Sequence, residues 1–166
     1  MKTVYLLPIT PALVEALRTP PTFEGIYRLQ LGAHGDLVRE VVAANERMRQ
    51  ETGAPPEWGG HLAVDPETRS VVGTCAYKSA PDAEAGVEIA YFTFPEFERQ
   101  GYGTAMASAL LEQTMLSGVV RVVRAHTLPA PNASTRILER HGFTRTETVV
   151  DPDDGPVWRW SRPMTR

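Results

Sequence analysis

The sequence predicts a mixed α/β domain, on three observations. Two pairs of β-rich runs, 61–65 with 70–77 and 143–150 with 157–162, are separated by short turn-forming stretches and read as hairpins. A long apolar run, 86–94, leads through Glu98-Arg99-Gln100-Gly101-Tyr102-Gly103 into an amphipathic helical segment. The 166-residue length suits one domain, spanning 1–166, with a sizeable core.

Taken in order, residues 4–7 form a short apolar segment expected at a sheet edge. Thr10-Pro11 has the pattern of a helix start, Thr10 as N-cap and Pro11 at the first helical position, for a short helix over 12–18. Residues 19–35 contain Pro20, Pro21, Gly25, Gly32 and Gly35 and are expected to be mostly irregular, with a brief strand at 26–31. Asp36 is expected to cap a second helix through Glu51, whose Leu37, Val38, Val41, Val42 and Met48 fall at helical spacing and which Gly53 stops. The loop 54–60, APPEWGG, is stiffened by two prolines and carries Trp58.

In the second half, the first hairpin turns at Pro66-Glu67-Thr68-Arg69, and a polar connection, 79–85, precedes the strand 86–94. On the helix after the glycine stretch, Ala107, Leu110, Leu111 and Met115 make an apolar face and Thr104, Ser108 and Glu112 a polar one, with Gly118 as the stop. A strand over 119–128, a helix over 132–141 ended by Gly142, and a hairpin around Asp153-Asp154-Gly155 complete the chain. Trp158 and Trp160 share one face of the last strand and are expected in the core.

The charge balance, 17 basic against 20 acidic residues with a net charge of -3, gives no reason to expect nucleic-acid binding. A single cysteine, Cys75, rules out an internal disulfide and a cysteine-based zinc site, and suits a reducing, cytoplasmic setting. The N-terminal apolar run is broken by Pro8 and is too short for a signal or membrane segment, so no membrane partner is expected.

The stretch around Gly101 and Gly103 has the make-up of an anion site: the glycines allow a sharp turn close to a ligand, and the helix opening at Tyr102 directs unpaired N–H groups into it. A Walker P-loop needs a lysine after the last glycine, where this chain has Thr104-Ala105. A dinucleotide fingerprint needs a third glycine and an earlier place in the chain.

Strand, Glu98-Arg99-Gln100-Gly101-Tyr102-Gly103-Thr104, amphipathic helix, strand, an Asn132-containing helix and Gly142-Phe143 together resemble the GNAT superfamily of acyl-CoA N-acyltransferases, from about His61 onward. The segment EIAYFTFPEFERQGYG is most similar to the branch that includes ribosomal-protein N-terminal acetyltransferases. The resemblance implies a central, mostly antiparallel sheet with helices on both faces and a splayed strand pair where the cofactor enters. It also implies transfer of an acetyl group from acetyl-CoA to a primary amine of a small molecule or peptide, with no metal. The backbone of Arg99, Gln100, Gly101, Tyr102, Gly103 and Thr104 is then expected to hold the pyrophosphate, with Arg99 and Gln100 adding side-chain hydrogen bonds. Strand amides at Tyr91, Phe92 and Thr93 are expected to hold the pantetheine arm and the oxyanion.

Two positions depart from the family pattern. Glu98 stands where Gln or Arg is usual and is expected to point away or engage a nearby donor; Leu138 stands where many relatives carry a tyrosine that protonates the thiolate. Tyr91 and Tyr102 are the substitutes in reach, and both also read as packing residues. These departures keep open an alternative, a non-catalytic acyl-CoA-binding regulatory domain.

An alkyl amine of pKa about 10.4 is mostly protonated at neutral pH, so a base is useful. Glu88, an ionisable residue in an apolar run, is the first candidate, with desolvation expected to raise its pKa; the bland reading is the exposed start of a strand. His126 is the second, against a hydrogen-bonded structural histidine. Asn132 serves equally as a cofactor contact or an N-cap, and Cys75 reads as a small buried hydrophobe. The acceptor pocket is assigned to residues before His61, with the helix from Asp36 and Trp58 as its walls. A homodimer through the terminal strands stays open.

Overall fold

In the computed structural model, residues 1–164 are described; Thr165 and Arg166, the end of the expected domain, lie outside them. Seven strands form one sheet. They are β1 (Tyr5–Pro8), β2 (Gly60–Asp65), β3 (Ser70–Tyr77), β4 (Gly86–Thr93), β5 (Val122–Thr127), β6 (Thr144–Asp151) and β7 (Gly155–Pro163), in the order β1-β2-β3-β4-β5-β7-β6. Every neighbouring pair is antiparallel except β4 with β5. Five helices, α1 (Pro11–Ala16), α2 (Pro20–Tyr27), α3 (Gly35–Thr52), α4 (Tyr102–Ser117) and α5 (Ala133–Arg140), cover its two faces.

The strand alternation sorts the core into two layers. Leu62, Val64 and Val71 point to one face, where Ile9, Leu13, Phe23, Val38 and Val42 pack under α1–α3. Ala63, Val72, Cys75, Tyr77, Val87 and Ile89 point to the other, beneath Met106, Leu110 and Leu138 of α4 and α5. The fold thus matches the expected class, with β1 at the predicted edge.

Three local expectations need correction. Residues 20–27 are helical, not irregular, and Ile26 belongs to α2 and not to a strand; Gln30 contributes only an isolated bridge to Ser70. Pro20 and Pro21 fall in the first turn, where a missing N–H costs nothing, so residues that read as breakers begin a helix that buries Phe23. Asp36 lies inside the first turn of α3, two residues past the cap position held by His34, where its charge suits the helix dipole. Met115 is 63 % exposed: the buried stripe of α4 runs through Met106, Ala107, Leu110, Leu111 and Thr114, and the last turn faces solvent. Of the tryptophans, Trp160 is buried and donates from Nε1 to Thr127 (2.9 Å), while Trp158 is partly covered by the Arg145 guanidinium, 4.0 Å from its ring.

Candidate active site

The parallel pair β4/β5 joins over only three positions, Gly86, Val87 and Glu88 against Val122, Val123 and Arg124. Beyond Glu88 the strands part. Lys78 N–H donates to the Glu88 carbonyl and Phe94 N–H to that of Val72, so by antiparallel alternation the even-numbered residues of β4 face β3. The N–H groups of Ile89, Tyr91 and Thr93 therefore face the gap. The amide of Phe92 points to β3, which removes it from the expected donors.

The gap runs into a cavity of about 660 Å³ between the end of β4, the start of α4 and the outer face of α5. Of the expected binding residues, Tyr91, Phe92, Thr93, Arg99, Gly101, Tyr102, Gly103 and Thr104 line it. Gly101 caps α4 with a φ of 94°, a left-handed conformation that favours glycine. Gly103 also borders α5: a Cβ there would lie 2.9 Å from Ile137 Cδ1, so that side chain would have to move. Gln100 does not line the cavity; its amide donates to the Glu96 carbonyl (3.2 Å). Glu98 does line it, exposed and without a side-chain partner among the described residues, contrary to the expectation that it turns away.

On the opposite face of the sheet, where the strands part, Glu88 Oε2 accepts from Lys78 Nζ (2.8 Å) and lies 2.9 Å from His126 Nδ1. His126 Nε2 accepts from Arg159 Nε (3.2 Å), whose Nη1 pairs with Glu147 (2.8 Å). Both sequence candidates for the base thus belong to one network. Desolvation is the largest single influence on Glu88 and raises its pKa, but the hydrogen bonds and charges of Lys78 and His126 together outweigh it and hold the carboxyl below its ordinary value. The sign is opposite to the expectation, because sequence alone showed the apolar run and neither partner.

The other candidates separate cleanly. The Tyr102 hydroxyl donates to Asp65, away from the cavity. Tyr91 donates to the Ser134 carbonyl at 3.4 Å, across the gap, and burial pushes its pKa up to about 12. Asn132 caps α5 in a reciprocal box with Thr135: its Oδ1 accepts from Thr135 N–H, and Thr135 Oγ1 accepts from Asn132 N–H, each at 2.9 Å. It borders a smaller cavity with Lys78, His126 and Asp151, which shares Ser134 with the larger one; Asn132 does not line the larger one. Cys75 is buried, its thiol pushed up to about 12 by desolvation, which makes it a poor nucleophile.

The model of the acetyltransferase (GNAT) domain family matches residues 11–144. The chain belongs to the GNAT acetyltransferase family. It is an acetyl-CoA-dependent N-acetyltransferase. The match begins well before His61, so α1–α3 are part of the family domain. No curated protein matches the sequence. Among solved structures, an acetyltransferase that modifies the N-terminal serine of ribosomal protein L7/L12 from Salmonella typhimurium superposes with a TM-score of 0.67 at 17 % identity, covering 99 % of this chain and 97 % of that one. The microcin C7 self-immunity acetyltransferase MccE, in complex with acetyl-CoA and AMP, gives 0.68 at 13 % identity, covering 98 % and 93 %. A spermidine N-acetyltransferase chimera from Vibrio cholerae and hSSAT gives 0.67 at 13 %, covering 96 % and 94 %.

Sequence reasoning missed several site residues of this GNAT enzyme. Arg136 and Arg140 line the larger cavity with Arg99, and their i, i+4 spacing on a short helix was the available signal. Lys78 and Arg159 complete the network around Glu88 and His126, and only strand pairing brings them there. Trp58, expected in the acceptor wall, packs on Tyr77 at 5.1 Å. Among the described residues, no group of three or more His, Cys, Asp or Glu side chains is placed to hold a metal, and no helix is long and apolar enough to cross a membrane.

Proposed function

We propose that the enzyme acetylates its amine by direct attack on the thioester, with His126 as the base and Glu88 as the group that orients it. The observation that carries this reading is the 2.9 Å contact between Glu88 Oε2 and His126 Nδ1 at the point where β4 and β5 part. Glu88, held below the ordinary carboxyl range, is too weak a base to draw a proton from an ammonium. Its charge instead steadies the imidazolium that His126 becomes.

The amine nitrogen attacks the carbonyl carbon, and the carbonyl electron pair moves onto oxygen, where a gap-facing N–H of β4 stabilises it. The amine proton passes to His126 Nε2 as Arg159 releases that lone pair. Collapse of the intermediate re-forms the carbonyl and breaks the C–S bond. Tyr91, protonated up to about 12, hydrogen-bonds the leaving thiolate. Full proton transfer from that phenol to a thiolate of pKa about 8.5 is uphill by some 3 to 4 units, so the thiolate leaves as the anion.

Arg99, Arg136 and Arg140, with the N-terminus of α4, are the groups for the pyrophosphate of acetyl-CoA. The whole chain reads as one N-acetyltransferase domain. Its single buried cysteine favours the cytoplasm. Thiol release from acetyl-CoA over peptides, amino acids, polyamines and amine antibiotics tests the reading. Release with at least one amine class is expected; cofactor binding with no release across the panel would leave an acyl-CoA-binding regulatory domain.

A further inference from the structure

Beside Glu88, on the face that carries α1–α3, the sheet is bare and apolar. The register sets Thr74 opposite Phe92 and Ala76 opposite Ala90, and α3 stands over them with Val41, Ala44 and Met48, leaving a groove of about 440 Å³. That volume is in the range of small-molecule sites. Three observations bear on what it takes.

No Asp, Glu, Lys or Arg side chain lines the groove. Phe92 is 48 % exposed on the sheet, an aromatic ring with a bare face. Asn45, 5 % exposed, is held by its Oδ1 accepting the Gly60 N–H (2.6 Å) and adds no charge to the wall. The groove also adjoins the cofactor cavity, since Tyr91 and Phe92 line both.

We infer that the groove holds the body of the acceptor, and that this acceptor is a primary amine on an apolar aliphatic or aromatic skeleton, uncharged away from the reacting nitrogen. A polyamine is excluded as the preferred substrate, since its second ammonium would lie in the groove with no counter-charge. The inference rests on the acetyl-transfer reading for its chemistry, but the groove can be tested without turnover.

Thiol release is measured with acetyl-CoA and n-alkylamines from propyl to hexyl, 2-phenylethylamine and spermidine. The expected kcat/KM rises roughly three- to fourfold per methylene, and 2-phenylethylamine exceeds spermidine by at least about tenfold. A flat series, or a preference for spermidine, overturns the inference. Ala44→Trp, at an exposed position of α3, fills the groove and is expected to raise KM for hexylamine about tenfold or more with acetyl-CoA affinity unchanged. Met48→Glu, a second variant, is expected to turn the preference toward spermidine. Calorimetric titration of hexylamine into the CoA-saturated protein is expected to show binding with a negative heat-capacity change. Binding without thiol release from any amine would sink the transfer reading and keep the groove; release without any chain-length dependence would sink the groove and keep the transfer.

Discussion

Arg159 Nε donates to His126 Nε2 at 3.2 Å while His126 Nδ1 faces Glu88 at 2.9 Å, and together these fix the imidazole tautomer. A guanidinium does not give up its proton, so Nε2 must be the acceptor and Nδ1 must carry the hydrogen. On the proposed mechanism, Glu88 aims the one lone pair on His126 that would take the amine proton, and Arg159 occupies it in the structure. His126→Gln is expected to lower kcat about 100-fold or more, with acetyl-CoA affinity intact. Glu88→Gln is expected to cost less, about tenfold, because the base survives and loses only its orientation. Pre-steady-state acetyl transfer with the preferred amine checks both; an equal or larger loss for Glu88→Gln would exchange the two roles.

Glu98 lines the same cavity as Arg99, Arg136 and Arg140. Its side chain is exposed, so its repulsion toward a pyrophosphate is screened and modest. Glu98→Gln is expected to tighten acetyl-CoA binding about two- to fivefold at low salt, with the gain shrinking as ionic strength rises. Fluorescence or calorimetric titration at two salt concentrations measures this, and weaker binding in the variant would show that the carboxylate helps to hold the loop.

Arg136 and Arg140 stand one turn apart on the short helix α5, both at the edge of the same cavity. Changing either to Gln is expected to weaken acetyl-CoA binding about tenfold, and Lys is expected to restore only part of it, since an ammonium lacks the planar fork of donors. The KM for the amine is expected to stay unchanged, which separates loss of the anchor from general damage.

His61 is fully buried against Tyr77, and neither ring nitrogen has a hydrogen-bond partner of good geometry. Desolvation lowers its pKa to about 4, with the Gly59 backbone offsetting only part of this. The unfolded chain therefore binds a proton near pH 6.5 that the folded chain refuses down to about pH 4. Stability is full above 6.5 and falls through that window, by roughly 3 kcal/mol from this group. Urea midpoints at pH 7 and pH 4.5 are expected to differ in the natural protein and to converge in His61→Phe. A gap of the same size in the variant would assign the acid sensitivity elsewhere.

What could be read from the sequence was whatever depends on local pattern. The hairpins, the helix after Gly101 and the edge strand follow from alternation, turn residues and helix stops, all encoded within a few positions. The strand, glycine turn and helix that border the larger cavity were legible for the same reason, since they are contiguous. Glu88, His126 and Arg159 lie on three separated strands and Lys78 directly follows a fourth, and their meeting depends on the sheet order β3-β4-β5-β7, which no short window contains. The direction of the Glu88 shift was lost with it. Pro20 and Pro21 misled because a proline breaks a helix inside it and begins one at its end, and position alone decides which.

The Tyr102–Asp65 bond joins the first residue of the cofactor-side helix to the end of a strand 37 positions earlier, where Asp65 also receives the N–H groups of Glu67 and Thr68. The start of α4 is in this way braced by the β2–β3 hairpin, so the N–H groups of its first turn are ordered before any ligand arrives. Ala44 and Met48 on α3 have no part in that brace. If the groove they border takes the acceptor, as inferred above, the amine a relative accepts can change at these positions while the cofactor side of the fold stays as it is.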